Sequence, residues 1–503
     1  MTIANDRCIR IFLSVAGLVV GSSVLNPAIP VATATDSLSA NLGSIDFPNS
    51  GAAEAQPAFL TGMKAFHSFE FEDAREAFRE AQSIDPDFGL AYWGEALSYN
   101  APLWAEQDGD AARATLARYG ATPQLRSQAL PPGRERGLME AVERLYGDGD
   151  KLSRDIAYSE AMQRLHEDFP DDDEIATLYA VSLLGTVRPG DRGFARQMRA
   201  GAIALEVFAR NPRHPGAAHF IIHAFDDPEH AILALPAARA YAEIAPDAPH
   251  ALHMPSHIFV QLGMWEGVVA SNEASYEAAL DHIERKDIAR GRSEFHALRW
   301  YHYGQLQLGN DDRAQWALDE ALRTLAQFPT AGVRNGTLSI LARHTLERES
   351  WSEFDHDIVT DAERNHSAVQ LAAGLSAAHT ANLAAAETAL ANIRGAYERL
   401  KRDPSTAYRA KIVAVEAKQL EAAIAWTQGD TAAAEGFLVE ATDLEGELNA
   451  PFGPPIPMKP TFEMYREFLV AQGRMEAAAV QFGKALARTP NRTRSVQGLE
   501  RTR

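Results

Sequence analysis

Residues 55–88 read "AQPAFLTGMKAFHSFEFEDAREAFREAQSIDPDF". With Ala55 as position 1, small residues fall at 8 (Gly62), 20 (Ala74) and 27 (Ala81), an aromatic at 24 (Phe78) and a proline at 32 (Pro86). This is the spacing of two antiparallel helices. The small residues at 8 and 20 let the helices approach closely, and the proline ends the second, because it lacks an N–H and its ring clashes with the preceding turn. Residues 460–491, "PTFEMYREFLVAQGRMEAAAVQFGKALARTPN", do it again: with Lys459 as position 1, Ala478 is 20, Phe482 is 24, Ala485 is 27 and Pro490 is 32.

These are the diagnostic positions of the 34-residue tetratricopeptide (TPR) repeat, which both stretches resemble. Pro170, Pro212 and Pro246 each take position 32, the last two 34 residues apart. Gly-to-apolar turns recur at Gly263/Val268, Gly309/Ala314 and Gly429/Ala434. No run alternates with period two, so strands are not expected. The fold class read here is all-α, a right-handed α-solenoid of tetratricopeptide-type helical hairpins. It covers residues 55–490, with roughly eight to eleven helical pairs. Residues 101–135, 187–195 and 283–294 break the beat as insertions, residues 35–54 form a polar leader, and the Arg-rich tail 491–503 is expected to be loose.

The N-terminus has a basic start (Arg7, Arg10), an apolar run from Ile11 to Leu25 and a small-x-small site at Ala32-Thr33-Ala34. Residues 1–34 therefore read as a secretory signal peptide. The run is too short and too rich in Gly and Ser for a good membrane span, so no stable span is expected after cleavage. Cys8, the only cysteine, precedes the apolar run. The mature chain would hold no disulfide, thiolate metal site or cysteine nucleophile. With 48 Lys+Arg against 68 Asp+Glu, the net charge is −20. That argues against a nucleic-acid partner, which needs clustered cations against phosphate, and none is expected. The chain reads as exported, either periplasmic in a Gram-negative bacterium or secreted.

Seven of the 16 histidines lie in residues 214–257, within "HPGAAHFIIHAFDDPEHA" and "HALHMPSHIF". Counting from Pro215, His219 is position 5 and His223 position 9. Counting from Pro249, His250 is 2, His253 is 5 and His257 is 9. His296 is position 2 of the repeat starting at Phe295. Positions 5 and 9 stand one above the other on a helix face. In tetratricopeptide proteins positions 2, 5, 9, 12 and 13 line the concave groove. His219, His223, His253 and His257 are thus the candidate metal ligands, at the corners of a quadrilateral, for a divalent transition metal such as zinc or copper. His250 and His296 would extend the patch as ligand-binding residues. Neither H-x-x-x-H pair is H-E-x-x-H, so the zinc-protease base is missing; Asp226, Asp227, Glu229 and Asp281 are candidate oxygen donors. The alternatives are a polar floor for a peptide or small ligand, and simple packing or capping. Pro255 strains the scheme: it either starts a helix, leaving His250 and His253 on its entry, or kinks one.

An aromatic patch is the second candidate. Trp93 (position 5) and Asn100 (12) follow from the repeat starting at Gly89, joined by Met63, Phe66 and His67, and "HALRWYHYG" adds Trp300, Tyr301, His302 and Tyr303. Trp93, Asn100 and Tyr303 are taken as ligand-binding positions.

The stretches "AYWGEALSYNAPLW", "HPGAAHFIIHAFDDPEHA" and "HALHMPSHIFVQLGMWEGVVASNEAS" resemble a group of bacterial tetratricopeptide-repeat proteins that share this order of motifs, over most of residues 55–310. The resemblance implies that His219, His223, His253, His257 and His296 match the group's histidines, while Arg299 stands where a further His is expected. It implies a fold and a site rather than a reaction, and whether the protein is an enzyme stays open. The expected function is that of an exported repeat protein whose groove binds a partner protein, peptide or small ligand. The alternative is a metalloprotein or metal-dependent enzyme using the His cluster.

Overall fold

Phe78 is the wedge around which the first hairpin closes. The computed structural model of the chain describes residues 41–354 and 366–501. In it the helices Gln56–His67 and Phe71–Ile84 pack antiparallel, followed by Gly89–Leu97. Phe78 is fully buried among them. A Cβ on Gly62 or Gly94 would come within 2.8 or 2.5 Å of its ring, so both positions exclude a side chain. Phe78→Ala would leave a cavity facing two glycines that cannot fill it. A loss of about 3–5 kcal/mol is expected, read as a lowered urea midpoint with an unchanged slope.

The same pairing runs the length of the chain. Asp173–Gly185 packs on Ala195–Arg210, Pro215–Ala224 on Ala231–Ile244, Ser293–Gln307 on Asp311–Gln327, Ala407–Thr427 on Thr431–Gly446, and Thr461–Ala471 on Met475–Arg488. First helices also contact the next first helix: Asp173–Gly185 meets Pro215–Ala224, Ser293–Gln307 meets Ala331–Arg348, and Ser367–His379 meets Ala407–Thr427. The two kinds of helix differ in patterning. Asp173–Gly185 is buried on every side from Glu174 onward. Its partner buries only Ala200, Gly201, Ala204 and Val207, one stripe of an amphipathic helix. The fold is an all-α solenoid of tetratricopeptide-type hairpins. Among the described residues the only strands are the two-residue pair Asn100–Ala101 and Glu106–Gln107, and no helix is long and apolar enough to cross a membrane. The signal-type segment lies outside the described residues.

Two expectations about the irregular parts need correction. The polar leader, described from residue 41, is largely exposed but pinned to the repeats: Leu42 and Phe47 are buried, and Ser44 N–H donates to the Arg213 carbonyl. The tail is not loose. Arg492 is fully buried and salt-bridged to Glu347 and Glu463, and a helix follows at Thr493–Arg501. Carboxylates from two distant helices give that cation a partner that composition alone does not reveal. Nor is the inner surface an open groove. The Pro-rich segment between the helices Thr431–Gly446 and Thr461–Ala471 lies across it. The Pro451 carbonyl accepts from Gln261, Gly453 sits on the Trp300 ring, and the Pro455 carbonyl accepts from Arg343.

Pro255 resolves as a break. Helix Pro249–His253 stops, Met254 keeps helical dihedrals (φ −56°, ψ −35°), and Pro255–Leu262 starts afresh. Because proline cannot donate into the preceding turn, the axis is interrupted between His253 and His257.

Candidate metal centre

The site is assembled where the first hairpin meets the helix Pro215–Ala224. His214 caps that helix, its Nδ1 accepting from Ala217 N–H at 3.2 Å. A neutral ring that accepts at Nδ1 carries its proton on Nε2, which faces Glu174 Oε1 at 3.1 Å. The other Glu174 oxygen holds His67 Nε2 at 2.8 Å. This buried His67–Glu174–His214 cluster could hold an ion by proximity. However, His214 has already committed its Nδ1 lone pair to the helix cap, and the cluster acts as a clamp between elements. Gly216 sets the closeness of the approach, since a Cβ there would fall 2.4 Å from His67 Nδ1.

The His67 carbonyl then orients His219. His219 Nδ1 donates to it at 2.7 Å, so the Nε2 lone pair of the neutral ring points inward. His223 Nε2 lies 3.0 Å and His250 Nε2 3.2 Å from that atom. Phe69 walls this triad, its ring 4.4 Å from His219 and 5.7 Å from both His223 and His250. Phe69 has φ +57° in the hairpin turn, a strained conformation for a bulky residue. Trp104, half exposed, packs edge-on to Phe69 and His250.

The second triad repeats the plan. His253 Nδ1 donates to Asn272 Oδ1 at 2.6 Å, and the amide is oriented by its own donation to the Val268 carbonyl at 2.8 Å. His257 Nδ1 donates to Asp226 Oδ2 at 2.6 Å, and Gln261 donates to the other Asp226 oxygen. In neutral rings so bonded the Nε2 lone pairs point inward, and these two atoms are 3.0 Å apart. His296 Nε2 stands 2.9 Å from His253 Nε2. Trp300 is the wall, with ring centroids 4.5 Å from His257 and 4.9 Å from His253.

In each triad the three facing nitrogens lie within 4.8 Å of one another. Zinc–nitrogen bonds of 2.0–2.1 Å in tetrahedral geometry set ligand nitrogens roughly 3.3 Å apart, close to the spacings here. The triads also face each other, with His223 and His257 centroids 6.0 Å apart and His250 and His253 6.2 Å apart. An imidazole ligand whose other ring nitrogen donates to a carboxylate, amide or backbone carbonyl is oriented in its ligating tautomer. His219, His253 and His257 are all held so. A donor set of imidazoles alone, without thiolate or carboxylate, suits zinc, copper or nickel.

Burial pushes His219 down to about 3. Burial, reinforced by neighbouring imidazoles, holds His223, His250, His253 and His296 well below the ordinary histidine value. His344, beside buried His302, is pushed down to about 4 by burial and then Arg348. In the unfolded chain all these rings take up protons below about pH 6.5. Below that pH the unfolded state binds more protons than the folded one, so stability rises with pH up to about 6.5. Buried Glu70 and Glu416, pushed up to about 7, oppose this by binding protons in the folded state, so metal-free protein is expected to gain slightly in unfolding free energy from pH 8 to 7. It should lose stability steadily from about 6.5 downward, read by urea titrations at pH 8, 7, 6 and 5.

The quadrilateral expected from the repeat positions is regrouped. His250 completes a triad with His219 and His223, and His296 completes one with His253 and His257. Of the other expected site residues, none is in either triad. Trp93 is fully buried against Phe47. Asn100 is buried in the two-residue strand pair. Tyr303 is buried against Trp265, its hydroxyl accepting from Arg492. Asp227 holds His230 in a turn, and Asp226 is a supporting acceptor. Phe69 and Asn272 were not legible: one is placed by a turn, the other by a neighbouring helix, and neither carries a motif.

No protein-family model matches the chain, and no curated protein matches it. Among solved structures it is similar to the human IFIT1 dimer with m7Gppp-AAAA, at 12% identity over 91% of this chain and 90% of that one, with a TM-score of 0.38. It is also similar to yeast Tom70, at 11% identity over 89% and 95%, TM-score 0.34. The APC/C hetero-tetramer Cut9–Hcn1 gives 14% identity over 91% and 78%, TM-score 0.35. The fold assignment rests on the helix pairing described above.

Proposed function

We propose that this protein is an exported metal-binding repeat protein, in which each histidine triad holds one zinc or copper ion. The observation that carries the reading is the pair of Nε2 atoms of His253 and His257, 3.0 Å apart in a buried setting, with both Nδ1 atoms already bonded to Asn272 and Asp226. Two lone pairs so placed repel unless a cation lies between them. One proton would satisfy that pair alone. It would leave unexplained the third nitrogen of each triad and the recurrence of the whole plan in the first triad. Three protein ligands leave a further coordination position, the arrangement used where a metal binds substrate or activates water. Export is supported by the signal pattern of residues 1–34, and the site by the resemblance to the bacterial group carrying the same histidines.

A second reading keeps the partner-binding role common to helical-repeat scaffolds. It is favoured by the exposed apolar side chains Trp104, Phe452 and Ile456, which offer a protein or peptide an apolar surface. The Pro-rich segment across the inner surface argues against an extended peptide laid along it.

The test is calorimetric titration of metal-free, tag-free protein with zinc and with copper. Two equivalents per chain are expected with at least one metal. No heat and no retained metal with either would contradict the proposal.

A further inference from the structure

We propose that Arg299 makes the second triad a receptor for a small oxyanion, a carboxylate or phosphate group with one oxygen on the metal and another on the guanidinium. This rests on the metal reading for its second anchor.

Arg299 lies one turn beyond His296 on the helix Ser293–Gln307. Its Nη2 donates to His296 Nδ1 at 3.3 Å, while its Nε is buried without a hydrogen-bond partner. The charged neighbour acting on it most strongly is another cation, Arg343. Elsewhere in the described residues, each buried arginine has a carboxylate: Arg126 has Glu143, Arg343 has Glu347, and Arg492 has Glu347 and Glu463. Arg299 is less buried than these, and Arg136 and Arg154, of similar exposure, also lack a carboxylate but spend their donors on backbone carbonyls; Arg299 has only the His296 ring. Leaving the buried Nε–H donor unmet is costly, and a guanidinium offers five donors in a fork that fits an oxyanion. Here one donor is used, on a long bond. Arg299 remains partly exposed, so an incoming anion can reach it.

The bond to His296 gives the arrangement a consequence. While Arg299 donates to His296 Nδ1, the proton of neutral His296 sits on Nε2 and blocks that atom as a ligand. An anion that draws Arg299 away frees His296 to shift its proton and ligate. Metal and oxyanion then strengthen each other's binding by the same factor.

The experiment uses the full chain loaded with cobalt(II) and titrated with sodium acetate and, separately, inorganic phosphate, following the visible spectrum. Metal content is measured on the same samples. Wild type is expected to bind one anion per chain. Arg299→Met should bind it at least tenfold more weakly, with metal content no lower than wild type, and Arg299→Lys should fall between. A preference for acetate names a carboxylate ligand, and a preference for phosphate names a phosphate. Folding of the variants is checked by circular dichroism, and metal-free Arg299→Met should unfold at the wild-type temperature or above. Fully loaded wild type that binds neither anion, or binds both as Arg299→Met does, overturns this inference alone. Failure to load cobalt, zinc or copper overturns the metal reading and this inference with it.

Discussion

His253→Ala is expected to lower the bound metal from two equivalents to one, and His219→Ala to do the same at the other triad. Each residue sits at the centre of its triad: His253 Nε2 is within 3.0 Å of both partners' nitrogens, and His219 Nε2 within 3.2 Å of both of its own. Removing the central ring leaves two imidazoles, of which only His257 keeps an orienting acceptor, and a chelator should strip the ion. The double variant should hold none. Stability separates this from misfolding. A metal at one hundred times its Kd stabilises the folded state by about 2.7 kcal/mol per site, so each single variant should lose one such increment with metal present. Without metal, His253→Ala loses its bond to Asn272 and leaves a cavity, so the increment is read for each variant as the difference between its metal-loaded and metal-free unfolding. Single variants that keep two equivalents would show that the histidines pack without ligating.

The second large effect is expected one residue removed from the metal. Asp226→Asn takes the carboxylate from His257 Nδ1 and lets the side chain present an amide N–H there. His257 would then favour the tautomer with its proton on Nε2, the wrong one for ligation. Loss of such a supporting acceptor costs about 10–100-fold in metal affinity. The affinity of the His219 triad, which draws its orientation from the His67 carbonyl, should not change and serves as the internal control. Competition against a fluorescent zinc chelator resolves the two sites. Equal weakening of both would point to a general disturbance of the fold.

The helical scaffold was open to reading because its signals are local. Small residues at positions 8 and 20, an aromatic at 24 and a proline at 32 are fixed by how two adjacent helices touch, and Phe78 against Gly62 is that contact in the structure. The histidines were legible for the same reason: i, i+4 pairs and the 34-residue period place them on one surface. Their grouping was not. It depends on which ring nitrogens turn toward one another, His250 toward His219 and His253 toward His257 and His296, and repeat positions do not fix that. The parts that cover the centre were hidden further. Phe69 reaches it through a strained turn, and the Pro-rich segment around residues 451–455 comes from the far end of the chain; Trp300 was legible in the aromatic patch, but its place beside His253 and His257 was not. Arg492 shows the same limit: its carboxylates lie on two separate helices and share no motif with it.

The central claim is that each triad is a coordination sphere of imidazoles. X-ray absorption at the metal edge of the purified, zinc- or copper-loaded protein tests it most directly. The account predicts a first shell of nitrogen and oxygen only, near 2.0–2.1 Å for zinc, with the outer-shell scattering of about three imidazoles per metal and loss of that signal in the His219→Ala/His253→Ala protein. Protein that retains no metal after loading, or a first shell without imidazole scattering, would contradict it.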